Sequence, residues 1–160
     1  MFLKFIYTIF VGVLLATLIG VGIAAFYEAP KYPEYPSRLK VSQPEKVDEE
    51  TAEEILEEQE EYDKEFASFQ KVQQKYNMNV SIISLVSSII ILVVSLTLFK
   101  KILMIADGLL LGGVLTLIYS IIRGFDTGDN KFRFLVVTIG FIVSIILGYI
   151  KFIKTQKTKR

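Results

Sequence analysis

One carboxylate, that of Asp107, lies well inside a long apolar stretch of this sequence and is the residue best placed to do chemistry. Ionised groups are costly in a lipid bilayer, and where they occur they often form proton or cation pathways. Three structural roles compete: a position beside the positive N-terminus of its helix, a pair with Lys100 or Lys101, or a contact with another polypeptide. We favour a structural role, because a relay would need a basic partner deeper in the apolar sequence.

A second group of acidic residues is the run of eleven carboxylates from Asp48 to Glu65. The run lacks the spacing and the glycine of an EF-hand loop, so it predicts no calcium site. The solvated face of a helix explains it, and a weakly cation-attracting surface is the alternative.

The chain contains no cysteine, histidine or tryptophan. These absences exclude disulfides, thiol redox chemistry and metal sites built from cysteine or histidine. They also remove the side chain that most often serves as a general base near neutral pH. Since no nucleophile–base pair can be named either, the sequence predicts a protein that is not an enzyme and has no cofactor.

Four apolar runs dominate the chain, at residues 5–26, 80–99, 102–122 and 134–150. A helix needs about 20 apolar residues to cross a bilayer core, and each run reaches or approaches that length. The sequence therefore predicts an all-α membrane protein with four transmembrane helices. The first run could be a cleaved signal peptide, but it is longer than the roughly 7–15 apolar residues of a signal core, which favours an uncleaved anchor.

The rest of the sequence divides into segments of distinct composition. After the first transmembrane helix (1–26), a linker (27–44) holds all four prolines, and an acidic amphipathic helix (45–77) follows outside the membrane. No strong helix breaker separates that helix from the second apolar run, so the two could be one continuous helix. A three-helix transmembrane bundle (78–150) and a basic cytoplasmic tail (151–160) complete the chain. Within the bundle, the polar stretch 123–133 predicts a turn with Gly124 and Gly128 as turn residues.

Along one face of the acidic helix, apolar side chains recur at steps of three and four residues, as on a coiled-coil face. We predict a partner-binding seam at Ile55, Tyr62, Phe66, Phe69 and Tyr76. Two glutamines interrupt the seam and weaken a pure coiled-coil interpretation. The linker tyrosines, including Tyr32 and Tyr35, are interpreted as lying at the lipid headgroups, with a docking strip for a partner subunit as the alternative.

Small side chains recur every fourth residue in three of the apolar runs, and we call these series the small-residue ladders. They consist of Gly12, Ala16, Gly20 and Ala24 in the first run, Gly108, Gly112, Thr116, Ser120 and Gly124 in the third, and Gly140, Ser144 and Gly148 in the fourth. The second run carries serines along one side. Such positions let helix backbones approach closely in lipid, where packing drives association. The series therefore predict a tightly packed bundle, and a hydroxyl-lined pore is the alternative.

Charge is strongly segregated along the chain, with 14 acidic and seven basic residues between Tyr27 and Asn77 and a basic excess elsewhere. Tight basic clusters favour a cytoplasmic location for both termini, which puts residues 27–77 outside. Lipid headgroups are the predicted partners of Lys100, Lys101, Arg123, Arg133, Lys151 and Lys154. Nucleic acid is not expected as a partner, because no groove-reading element accompanies the basic tail.

These features together predict a non-catalytic integral membrane protein that acts as a structural or accessory subunit of a homo-oligomer or a larger membrane complex. An oligomeric ion channel or small transporter is the first alternative, with Asp107 and the hydroxyl-bearing helix faces along its path. A membrane sensor that reads a ligand or partner through the 45–77 helix is the second.

Overall fold

The structure is a computed structural model that describes residues 2–36, 49–97 and 102–154. In that part of the chain all regular structure is helical: α1 (Phe2–Phe26), α2 (Glu49–Thr97), α3 (Leu103–Phe125), α4 (Asn130–Gly148) and a π-helical segment (Tyr149–Lys154). All four α-helices contain a stretch long and apolar enough to cross a membrane. The predicted all-α class with four such helices is thus confirmed, and the chain has the character of a multi-pass membrane protein.

The acidic segment and the second apolar run belong to one uninterrupted helix, α2. No proline or glycine lies within it to end it early. Residues 45–48, predicted as its first turn, lie outside the described residues, as do the second half of the linker and Lys100 and Lys101.

The chain divides into two compact units. The first contains Met1–Glu28 and Asn77–Arg160, and the second contains Ala29–Tyr76. Within the first unit α3 is the central element, because its side chains and glycines contact α1, α2 and α4. Within the second unit an extended linker segment packs against the N-terminal part of α2.

The connection between α3 and α4 is shorter than the sequence predicts. α3 continues to Phe125 and α4 starts at Asn130. Asp129 is the N-cap of α4 and accepts a hydrogen bond from the Lys131 amide at 2.8 Å, so the polar residues that follow form a helical turn. Gly128 is a turn residue as predicted, with a φ of 72°, a conformation that favours glycine.

The prediction of a turn at Gly124 is wrong, because this residue, which is also the last member of the third ladder, lies buried inside α3. A Cβ at this position would lie 3.2 Å from Ser81 Oγ and 3.6 Å from Val136, so the bare backbone lets α2 and α4 approach the same turn of α3. A glycine beside polar residues is typical of a turn, and here that local signal is overridden by close helix packing.

Candidate functional site

The interface between α1 and α3 is built from interlocking glycines and branched side chains. A Cβ at Gly108 would lie 2.8 Å from Val11, and one at Gly112 would lie 2.8 Å from Leu15 and 3.0 Å from the Gly12 carbonyl oxygen. Each glycine thus receives a side chain of the facing helix. Three members of the small-residue ladders, Gly12, Gly108 and Gly112, lie in this contact.

Serine hydroxyls connect α2 to α3. Ser81 Oγ donates to the Ser120 carbonyl at 2.8 Å, and Ser120 Oγ donates back to the Ser81 carbonyl at 2.8 Å. Fourteen residues further along α2, Ser95 Oγ donates to the Ala106 carbonyl at 2.6 Å. All three serines are buried, so these hydroxyls bond between helices.

Two other buried serines on the same side of α2, Ser84 and Ser88, have no hydrogen-bond partner for Oγ among the described residues. Both are fully buried. Thr116 of α3 is also buried, but its hydroxyl donates to the Gly112 carbonyl of its own helix. An unbonded hydroxyl in an apolar interior costs free energy, so these two positions are weak points in the contact.

Gly113, which belongs to none of the small-residue ladders, packs closely against α2. A Cβ there would lie 2.6 Å from Leu92 Cδ2 and 3.3 Å from Ile91. Sequence reasoning missed it because it looked for steps of four residues on a single face. The adjacent glycines 112 and 113 could have indicated that α3 packs against different helices on two faces.

In α4, only some of the small residues contact another helix. A Cβ at Gly140 would lie 3.1 Å from Ile121 of α3, whereas nothing lies within 4 Å of one at Gly148 or at Gly20 of α1. Ser144 donates to the Gly140 carbonyl of its own helix. Of the α1 ladder, Ala16 is half-buried and Ala24 is exposed. Among the described residues, the helix contacts therefore use only part of the ladders of α1 and α4.

Asp107 pairs with Lys151, at 2.5 Å between Oδ1 and Nζ. Lys151 belongs to the π-helical segment that continues α4, and the side chains of Asp107 and Lys151 remain partly exposed, at 43% and 34%. The partners expected for Asp107, Lys100 and Lys101, lie outside the described residues, as does the side chain of Lys154. In an antiparallel α3–α4 hairpin, Asp107 and Lys151 stand at similar distances from the turn, which is a signal that could have predicted the pair.

Arg123 binds protein groups at the other end of α3. Its Nε donates to the Tyr119 hydroxyl at 3.1 Å, its Nη1 donates to Asn77 Oδ1 at 3.0 Å, and the guanidinium lies 5.5 Å from the Tyr119 ring centre. Nearby in α2, Asn79 Nδ2 donates to the Tyr27 hydroxyl at 2.7 Å. These bonds connect α2 to α3 and to Tyr27, the residue that follows α1, where the apolar part of α2 begins. Arg133, also predicted to meet lipid, donates to Asn130 at 3.1 Å.

In the second unit, two linker tyrosines contact the predicted seam. We call residues 29–36 the strap and Tyr62, Phe66 and Phe69 the aromatic stripe. The Tyr32 ring centre lies 5.0 Å from Phe69 and 5.8 Å from Phe66, and the Tyr35 ring centre lies 5.0 Å from Tyr62. Edge-to-face and tilted pairs at these distances are attractive. The chain therefore covers three of the five seam residues itself; of the other two, Ile55 is half-buried and Tyr76 is buried.

The environment of the stripe changes the acidity of Tyr62. Partial burial raises the pKa of its phenol above the usual 10.0, and the hydrogen bond to Tyr32 and the neighbouring phenols and Asp63 raise it further. The neutral phenol is thus the form that the strap contact favours.

Among the described residues, no three acidic side chains are grouped so that they could hold a metal ion. Comparisons of the chain with protein-family models, with curated proteins and with solved structures found no match.

Proposed function

We propose that this chain is a non-catalytic integral membrane protein that serves as a structural or accessory subunit, joining a homo-oligomer or a larger membrane complex. The observation that carries the proposal is that buried polar and small residues of the first unit make contacts between helices. The serines of α2 and the glycines of α3 bond or pack between helices. This supports a bundle whose polar groups hold helices together in lipid.

The same contacts count against a path for ions through a single copy. The hydroxyls of Ser81, Ser95 and Ser120 are bonded to carbonyl oxygens, and Asp107 is paired with Lys151. We infer that this pair, in which the carboxylate neutralises the lysine, joins the N-terminal end of α3 to the segment that follows α4.

The second unit would then lie outside the membrane, with both termini in the cytoplasm. Its helix surface is strongly acidic and would repel an anionic lipid surface, whereas the basic clusters at the other ends of the spans would be attracted to one. In this arrangement the second unit is the part that a neighbouring subunit can reach without entering the lipid.

Crosslinking in native membranes tests the subunit role. Leu56→Cys and Val72→Cys place a thiol on exposed positions of α2 outside the aromatic stripe, in a chain that has no native cysteine. We expect a thiol crosslinker to join each variant to another polypeptide, which co-purification and mass spectrometry identify. The cysteine-free chain is the control, and a strictly monomeric species with no crosslinked product contradicts the proposal.

Ion flux distinguishes the channel alternative. Purified protein in liposomes should give no flux above empty vesicles, and Asp107→Asn should leave that result unchanged. A flux that the wild-type chain supports and Asp107→Asn abolishes would replace the subunit role by a transport role.

A further inference from the structure

The strap has a three-residue repeat. Its prolines stand at positions 30, 33 and 36, and its tyrosines at 32 and 35. A polyproline II helix has three residues per turn, so this spacing places the prolines along one edge and the tyrosines along another. Proline also fixes its own φ, which lowers the entropy that such a segment loses when it binds.

The repeat of the strap matches that of the aromatic stripe. In a polyproline II conformation, Tyr32 and Tyr35 would lie about 9 Å apart, at roughly 3.1 Å per residue. The seven residues from Tyr62 to Phe69 advance α2 by about 10.5 Å. Tyr35 meets Tyr62 and Tyr32 meets Phe69, so the strap runs antiparallel to the helix with its two rings on either side of Phe66. The two strap tyrosines are thus spaced about as far apart as the two residues of the stripe that they contact.

We propose that straps are exchanged between two copies of this chain, so that the strap of one copy binds the aromatic stripe of the other. The inference rests on the self-association form of the proposed function. Exchange keeps every ring contact and changes only which chain supplies the strap, which is why segment exchange is a low-cost route to a dimer. Two copies embedded in one membrane with the same orientation would hold strap and stripe at one level, which raises their effective concentration.

The charge and exposure of the second unit favour the strap as the joining element. The two strap tyrosines keep 63% and 46% of their surface exposed, so the strap is held by ring faces and by the buried Pro33 between them. A direct contact between two copies of the helix would bring its carboxylates together, and like charges repel. The strap instead presents uncharged rings to the helix, and its Lys31 and Glu34 balance each other.

The test uses two differently tagged full-length chains co-expressed in one membrane. One carries Glu34→Cys in the strap, and the other carries Glu65→Cys beside the stripe; both positions are exposed and all five rings stay in place. The matched control replaces Glu65→Cys by Lys64→Cys, one residue along but on the far side of the helix, since each residue turns it by about 100°. A flexible thiol crosslinker and gel analysis give the yield of the mixed dimer.

Exchange predicts that the Glu34→Cys and Glu65→Cys chains form a mixed dimer at a yield about tenfold above that of the Lys64→Cys control. Replacing both strap tyrosines, by Tyr32→Ala and Tyr35→Ala in the chain with Glu34→Cys, should remove that excess, because ring pairs supply the contact. A yield no higher than the control overturns the exchange. In that case, a single chain with both cysteines that crosslinks internally shows the strap bound within its own copy, and the Leu56→Cys and Val72→Cys crosslinks still decide the subunit role separately.

Discussion

At the scale of single residues, the glycines of α3 set how closely its neighbours approach. Gly108 and Gly112 accept side chains of α1, and Gly113 accepts Leu92 of α2. A methyl group at any of them would overlap a side chain of the facing helix. Glycines with open surroundings have no such packing role, and Gly20 of α1 is an example.

The first prediction compares these two kinds of glycine. Gly112→Ala should lower the free energy of unfolding by about 1–3 kcal/mol, because its Cβ would meet Leu15 and the Gly12 carbonyl oxygen. Gly20→Ala should leave it unchanged or raise it by up to about 1 kcal/mol, since alanine favours a helix. Reversible unfolding of the detergent-solubilised protein measures both. Equal effects of the two substitutions would show that α1 does not pack on α3 through Gly112.

The second prediction concerns Tyr62 and pH. Its pKa is raised in the folded chain above the usual 10.0, so the fold binds this proton more tightly than the unfolded chain does. The stabilisation is therefore fully present below pH 10 and is lost as the pH rises through the raised pKa. Absorbance of phenolate near 295 nm, compared between the wild-type chain and Tyr62→Phe, should show that the phenol removed by the substitution titrates above pH 10.0. A difference titration with its midpoint at or below pH 10.0 contradicts the raised pKa.

At the scale of elements, α2 is one helix with two kinds of surface. Its N-terminal part carries carboxylates and the aromatic stripe, and its C-terminal part is apolar apart from a row of serines. Sequence periodicity found both faces, because a helix repeats its surface every three to four residues. Which hydroxyls are bonded depends on the register of α2 against α3, which periodicity does not determine.

The third prediction compares a bonded serine hydroxyl of α2 with an unbonded one. Ser81→Ala removes the bond to the Ser120 carbonyl and should cost about 0.6 kcal/mol, with an upper range of about 1.7 kcal/mol. Ser84→Ala removes a buried hydroxyl without a partner and should be neutral or stabilising. The same unfolding assay distinguishes them. If Ser84→Ala destabilises as much as Ser81→Ala, the two hydroxyls are bonded alike and the register of the two helices differs from the one described.

At the scale of the whole molecule, the segregation of charge predicts orientation. Acidic residues concentrate between the first and second spans, and basic residues cluster at Lys4, at Lys100 with Lys101 and in the tail. Retention of basic clusters in the cytoplasm puts all three on that side if there are four crossings.

The fourth prediction tests this orientation in intact cells with a membrane-impermeant thiol reagent. Leu56→Cys should react, whereas Lys4→Cys and a cysteine added after Arg160 should react only once the membrane is permeabilised. The cysteine-free chain is the control for labelling. Labelling of either terminal cysteine in sealed cells contradicts the cytoplasmic location of that terminus, and labelling of only one of them contradicts an even number of crossings.

The helical class, the four apolar helices and the continuity of α2 follow from local sequence, because run length and the absence of helix breakers depend on neighbouring residues. Local patterns also named the surfaces that meet, such as Gly112 and Phe66. The partner of each surface was decided by tertiary structure: Lys151 pairs with Asp107, Gly113 receives Leu92, and the strap covers the aromatic stripe. Residues far apart in the chain meet only when the register and rotation of whole helices are fixed, and that choice is made by packing.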